Sequence, residues 1–234
     1  MLSSRIQNNR PVRVGLIGAG KFGSMILSQA RHINGLHIMA VADLDLNKAQ
    51  DSFQRVGWDT KSCFAGSAAE AVISGKTWLT DNAADICALS ELDCIIEATG
   101  HPLFGVRHAM MALQQAKHVV MVNVEADVLC GPYLTQLADE NNVIFSMAYG
   151  DQPALIMEQI EWAKLNGFLV VGAGKGTKYH PSFEYSTPDT VWKNYGMTDE
   201  QAKKAGMNPK MFNSFTTGDK SSIEMAAVAN ASGL

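Results

Sequence analysis

Two regimes of apolar patterning follow one another along the chain. In the first, short apolar runs alternate with stretches where apolar residues recur every three to four positions, the periods of buried strands and amphipathic helices. Val12–Ile17 (VRVGLI) reads as a strand; Phe22, Ile26, Leu27, Ala30 and Ile33 mark a helix that stops near Asn34 and Gly35; Leu36–Ala42 is a second strand. Residues 46–89 are less regular, with a helical patch at 67–73, a polar turn at 74–76 and a short strand at Thr77–Thr80. The alternation then resumes with strands at 93–98, 118–124 and 143–147 and helices at 104–115 and 132–140. Strands alternating with helices imply right-handed crossovers and a parallel sheet covered on both faces.

After Pro153 the pattern changes. A helix over 155–165, a strand over 168–172, a long polar and aromatic loop over 178–193, a helix over 199–205, a strand over 211–217 and a helix over 222–231 are predicted. The fold class is therefore α/β: a tail (1–11), a Rossmann-type doubly wound parallel sheet (12–153) and a smaller, incomplete α+β substrate domain (154–234). Two strands close no core of their own, so the polypeptide is expected to continue past Leu234.

The first strand runs directly into Gly18, Ala19, Gly20, Lys21, Phe22 and Gly23, a G-x-G-x-x-G sequence in its βαβ setting. Gly18 permits the tight turn, Gly20 lets the backbone approach a pyrophosphate, and Gly23 lets the helix pack on the sheet. The helix N-terminus offers free N–H groups and partial positive charge. Asp43, 20 residues beyond Gly23, stands where an acid accepts the ribose hydroxyls, which favours NAD over NADP. Asp45 is a rival for that role. Ligands of such sheets bind beyond the carboxyl ends of the strands, so Thr99, Gly100 and His101 after the 93–98 strand, Asn123, and the 149–153 loop are expected around the same crevice.

A second glycine-rich stretch, VVGAGKGTKYHP at 170–181, is not a Walker loop, which would need glycine at Leu169 and a hydroxyl at Gly176. Its Lys175 is the first candidate for a proton donor or oxyanion stabiliser toward a substrate carbonyl, with Lys178 and His180 adding positive charge for a phosphate or carboxylate. Glu125 and Asp151 are further catalytic candidates. Together with Asp127 they could hold magnesium or manganese, provided 125–127 stays extended. Glu224 is weaker, since Lys220 one turn earlier could pair with it.

Composition narrows the classes. With 47% hydrophobic and 18% charged residues and a net charge of −4, the chain carries no basic footprint for nucleic acid. The four cysteines form no C-x-x-C pair, which reads as a reducing, cytoplasmic setting, and the six histidines show no zinc spacing. No apolar stretch approaches the about 20 residues a membrane span needs, so neither a membrane nor nucleic acid is expected as a partner.

The segments RVGLIGAGKFG, HVVMVNVEADV, AYGDQP, GAGKG and EMAAVANASGL together resemble the homoserine dehydrogenase-like oxidoreductases, in the branch that carries a C-terminal SAF domain and includes deoxyxylulose-phosphate reductoisomerase-like enzymes. The resemblance spans nearly the whole chain. It implies a nicotinamide cofactor, NAD or NADP, a small polar substrate, a homo-oligomer, and more polypeptide than these 234 residues. One departure matters. The family's Asn-Lys pair is replaced by Asn123 followed by Val124 and Glu125, which argues against homoserine itself as substrate. A metal-dependent reductoisomerase-type reaction and a non-catalytic nucleotide sensor are the alternatives.

Overall fold

The computed structural model describes residues 2–8, 10–205 and 207–234; of the predicted tail, Met1 and Asn9 lie outside them. The chain divides into two units, Met1–Ala148 and Tyr149–Leu234. The first opens with helix α1 (Leu2–Gln7), where a free tail was predicted. The Arg5 guanidinium donates to both carboxylate oxygens of Asp93 at 3.1 Å, and Asp93 also accepts the Arg13 N–H, so this helix is tied to two strand starts.

Strands and helices then alternate: β1 (Val12–Ile17), α2 (Lys21–Ala30), β2 (Leu36–Ala42), α3 (Leu46–Arg55), β3 (Phe64–Ala65), α4 (Ala68–Ser74), β4 (Thr77–Thr80), α5 (Ala83–Ala88), β5 (Cys94–Glu97), α6 (Pro102–Gln114), β6 (His118–Met121), α7 (Val124–Glu140) and β7 (Phe145–Met147). The seven strands form one sheet in the order β3-β4-β2-β1-β5-β6-β7, every pairing parallel. The chain leaves β1 in one direction to β2 and returns on its other side to β5. The topological switch point lies between β1 and β5, at the ends that carry Ile17 and Glu97.

Strand alternation sorts the core into two layers. Val14 and Leu16 of β1 pack with Leu27 and Ala30 of α2 and Ala49 and Phe53 of α3. Ile17 points to the other face, toward Ile86 of α5, Ile95 of β5, Ala109 and Leu113 of α6 and Leu134 of α7. Gly15 is required on that second face, because a Cβ there would stand 2.5 Å from the Ile86 side chain and 2.8 Å from Ile95.

Predicted boundaries shift where side chains cap helices. Asn123 accepts the Ala126 N–H and starts α7 at Val124, eight residues earlier than the periodicity suggested, which shortens the preceding strand to His118–Met121. Pro132 sits inside this helix, not at its start. His101 caps α6 ahead of Pro102.

The second unit is helical: α8 (Gln152–Leu165), a 3₁₀ turn (Pro181–Phe183), α9 (Val191–Tyr195), α10 (Asp199–Lys204), α11 (Pro209–Thr216) and α12 (Asp219–Ser232). Neither strand predicted here is present among the described residues. Residues 168–172 have no neighbouring strand to pair with, and a lone strand leaves its backbone groups unsatisfied. Residues 211–217 fall in α11, which Asn208 caps by accepting the Lys210 and Met211 N–H groups while Pro209 supplies the first-turn φ. α12 packs on α8 and α11, and Val191, Trp192 and Ala202 form a small core with Met197, Met207 and Phe212. No helix among the described residues is long and apolar enough to cross a membrane.

Candidate active site

The glycine loop of the first unit is built by contacts that leave one face open. Gly18 has φ of +99°, and a Cβ on it would stand 2.7 Å from the Ala98 carbonyl oxygen, so only glycine lets the turn pass β5. Gly23 is closer still: its Cβ would lie 2.3 Å from the Gly18 carbonyl oxygen. At Gly20 a Cβ would meet nothing within 4 Å. Gly20 caps α2 in extended conformation with no side-chain hydrogen bond to the helix N-terminus, while Lys21 is exposed and Phe22 half-buried in the first turn. Uncapped N–H groups beside an open backbone are what a pyrophosphate needs.

Two side chains fix the loop from behind. Asp43, at the end of β2, accepts the Ala19 N–H on Oδ2 at 2.8 Å and the Asp45 N–H on Oδ1 at 3.1 Å. Each carboxylate oxygen keeps a further lone pair for a ribose hydroxyl. Ser52 of α3 donates to the Ala19 carbonyl at 2.8 Å. The rival Asp45 is committed elsewhere, capping α3 through the Asn47 and Lys48 N–H groups.

Across the switch point, Thr99, Gly100 and His101 form the loop after β5. Gly100 has φ of +72°, and His101 caps α6 through Phe104 N–H and packs edge-on against the Phe104 ring. Thr99 donates its hydroxyl to Glu97 Oε1 at 2.6 Å, and His108 Nδ1 lies 3.2 Å from the same oxygen. Glu97 and His108 escaped the sequence reading. Asn123, at the end of β6, is buried and caps α7.

Glu125 and Asp127 lie two positions apart in the first turn of α7, about 200° around the helix, because the segment is helical and not extended. Asp151 caps α8 through the Gln152 N–H. Among the described residues no group of three or more His, Cys, Asp or Glu side chains is arranged to hold a metal. Burial pushes the Asp127 carboxyl up to about 6. Burial also pushes the Cys87 and Cys94 thiols up to about 11 and about 12, which makes them poor nucleophiles.

In the second unit the GAGKG stretch lies against α12, Gly174 near Met225. Lys175 donates from Nζ to Glu224 Oε2, with side-chain exposures of 16% and 2%. Two residues on, the Thr177 hydroxyl meets that of Ser221 at 3.0 Å, one turn earlier on α12. Glu224 is thus the partner of Lys175, not simply of Lys220 on its own helix. Lys178 Nζ stands 4.6 Å over the Tyr195 ring, and His180 caps the 3₁₀ turn through the Ser182 N–H.

Comparison with known proteins follows this division. Residues 12–122 match the oxidoreductase family with an NAD-binding Rossmann fold. Residues 150–234 match the catalytic domain of oxidoreductase DRL. Solved structures similar to the chain include a homoserine dehydrogenase from Thiobacillus denitrificans (23% identity, TM-score 0.47, 62% of this chain and 30% of that one). A scyllo-inositol dehydrogenase from Lactobacillus casei with bound NAD(H) and scyllo-inositol matches at 14% identity and TM-score 0.47, over 66% of this chain and 42% of that one. The WlbA dehydrogenase from Bordetella pertussis, in complex with NADH and UDP-GlcNAcA, matches at 19% identity and TM-score 0.46, over 66% and 43%. The chain spans less than half the length of each. Likeness at this level says nothing of substrate. No curated protein matches the chain.

Proposed function

We propose that this chain is the nucleotide-binding and substrate-binding part of an NAD(P)-dependent oxidoreductase. It moves a hydride between the nicotinamide and a small, polar, anionic carbonyl or hydroxy compound of the kind homoserine dehydrogenase-like enzymes use. The observation that carries the reading is the glycine loop: an open Gly20, an uncapped helix start and a carboxylate at the end of β2. The bound nicotinamide supplies or accepts the hydride.

The chain's own residues bind and orient. The Lys21 and Phe22 N–H groups take the pyrophosphate, and Asp43 takes the adenosine ribose, where a 2′-phosphate would meet its negative charge; NAD is preferred on that ground. Lys175, steadied by Glu224, presents its ammonium to the substrate oxygen that gains charge, Lys178 adds positive charge on the same segment, and His180 offers a polar ring beside them.

Titrating the protein with NADH and NADPH while following nicotinamide fluorescence tests the reading. NADH is expected to bind more tightly than NADPH. Binding of neither at millimolar concentration sinks the proposal. Screening NADH oxidation against 2-oxo acids, hydroxy acids and phosphorylated ketoses tests the substrate class, with turnover expected only for anionic compounds.

A further inference from the structure

β5 ends on a carboxylate that no part of the dinucleotide reading above uses. The Glu97 side chain is wholly enclosed, with 0% exposure. Its Oε1 gathers two groups, the Thr99 hydroxyl at 2.6 Å and His108 Nδ1 at 3.2 Å. Its Oε2 makes no hydrogen bond to the described residues, and neither does Asn123 Nδ2 at the end of β6. The two atoms are neighbours. A Cβ on Gly105 of α6 would stand 2.7 Å from Asn123 Nδ2 and 3.2 Å from Glu97 Oε2, so glycine at that position is what leaves both groups their room.

A buried carboxylate is costly to desolvate and is often matched or bettered in stability by an apolar side chain of like volume. Its cost here is set against what it holds. The order of ligand parts along the sheet edge indicates what that is. With the pyrophosphate at the β1–α2 loop and the adenosine ribose at Asp43 beyond β2, the remaining half of the dinucleotide extends the other way across the switch point, over the ends of β5 and β6. Those ends are Glu97, the Thr99 loop and Asn123.

We propose that Glu97 is a positioning residue for the nicotinamide half of the cofactor, acting through the Thr99 hydroxyl that it anchors at the mouth of the β5–α6 loop. This rests on the dinucleotide reading and can fail separately from it. The test compares NADH, which carries the nicotinamide, with ADP-ribose, which carries only the rest, by titrating the full chain as wild type, Glu97→Leu and Thr99→Val. Leucine removes every acceptor without emptying the site. Valine removes the anchored hydroxyl at an exposed loop position and decides the matter should Glu97→Leu not fold.

About a tenfold loss of NADH affinity is expected in each variant, the effect of one hydrogen bond to a charged group, with ADP-ribose affinity unchanged within about twofold. NADH and ADP-ribose weakening together, or Thr99→Val binding NADH as wild type does, overturns the positioning role. A wild-type chain that binds ADP-ribose but not NADH overturns it as well. Wild type binding none of NADH, NADPH and ADP-ribose overturns the dinucleotide reading beneath it.

Discussion

The chain carries two glycine-rich loops of similar composition, and the physics that demands glycine differs between them. At Gly18 and Gly23 a side chain would run into backbone oxygen at 2.7 and 2.3 Å. At Gly172 and Gly176 it would meet nothing within 4 Å, and at Gly174 only the Met225 sulfur at 3.5 Å. The first loop leads into a helix whose N-terminus it leaves bare, whereas the second is strapped to α12 by its side chains, Lys175 to Glu224 and Thr177 to Ser221. In the first, glycine shapes a backbone site. In the second, the chemistry belongs to the side chains, and the glycines only let them lie down.

Substitutions can break this contrast in order of size. Gly23→Ala puts a methyl group against a backbone carbonyl that cannot yield, and is expected to cost more than about 3 kcal/mol in denaturant unfolding. Lys175→Ala leaves Glu224, 2% exposed, as a buried charge without its ammonium, and is expected to cost about 3 kcal/mol. Glu224→Gln should cost less, about 1 kcal/mol, because the lysine left behind can swing into water. Equal losses for the two would show that the pair is not seated as described.

Asp127 supplies an effect between those two, with a definite sign. Its folded value near 6 stands above the ordinary carboxylate range because burial disfavours the charged form. The folded state therefore holds the proton more tightly than the unfolded one. Asp127 is harmless below about pH 4 and destabilising once the pH has risen through 6. Asp127→Asn is accordingly expected to stabilise by about 2 kcal/mol at pH 8 and by nothing measurable at pH 4, read from melting curves at both. A gain that does not depend on pH contradicts the account. Smallest of all, Gly176→Ala should change stability by no more than about 0.5 kcal/mol, against the collapse expected at Gly23.

What was legible in the sequence was mostly local. The run from Val12 to Asp43 carries period, turn and terminal acid within 32 residues, and both of its strands fall where the pattern puts them, while the helix ends at Ala30, short of the stop expected near Asn34 and Gly35. The second unit was harder because its signals conflict. Apolar and β-branched residues at 211–217 suggested a strand, but the Asn208 cap and Pro209 favour a helix, and the cap wins where no neighbouring strand exists. Partners far apart along the chain were invisible: Glu224 takes the ammonium of Lys175, 49 residues upstream, which no local pattern shows. Glu97 left a trace that went unread. It shares a strand face with Ile95 in an otherwise apolar run, and an acid at such a position needs a reason.

The central claim is that the first loop holds a dinucleotide phosphate against bare backbone. Gly20→Ala tests it most directly, because its methyl group touches no part of the folded protein and points into open space. The variant should melt with wild type, yet lose at least about tenfold in NADH affinity by fluorescence titration, the equivalent of one good contact. NADH binding as tight as that of wild type, at unchanged stability, would contradict it.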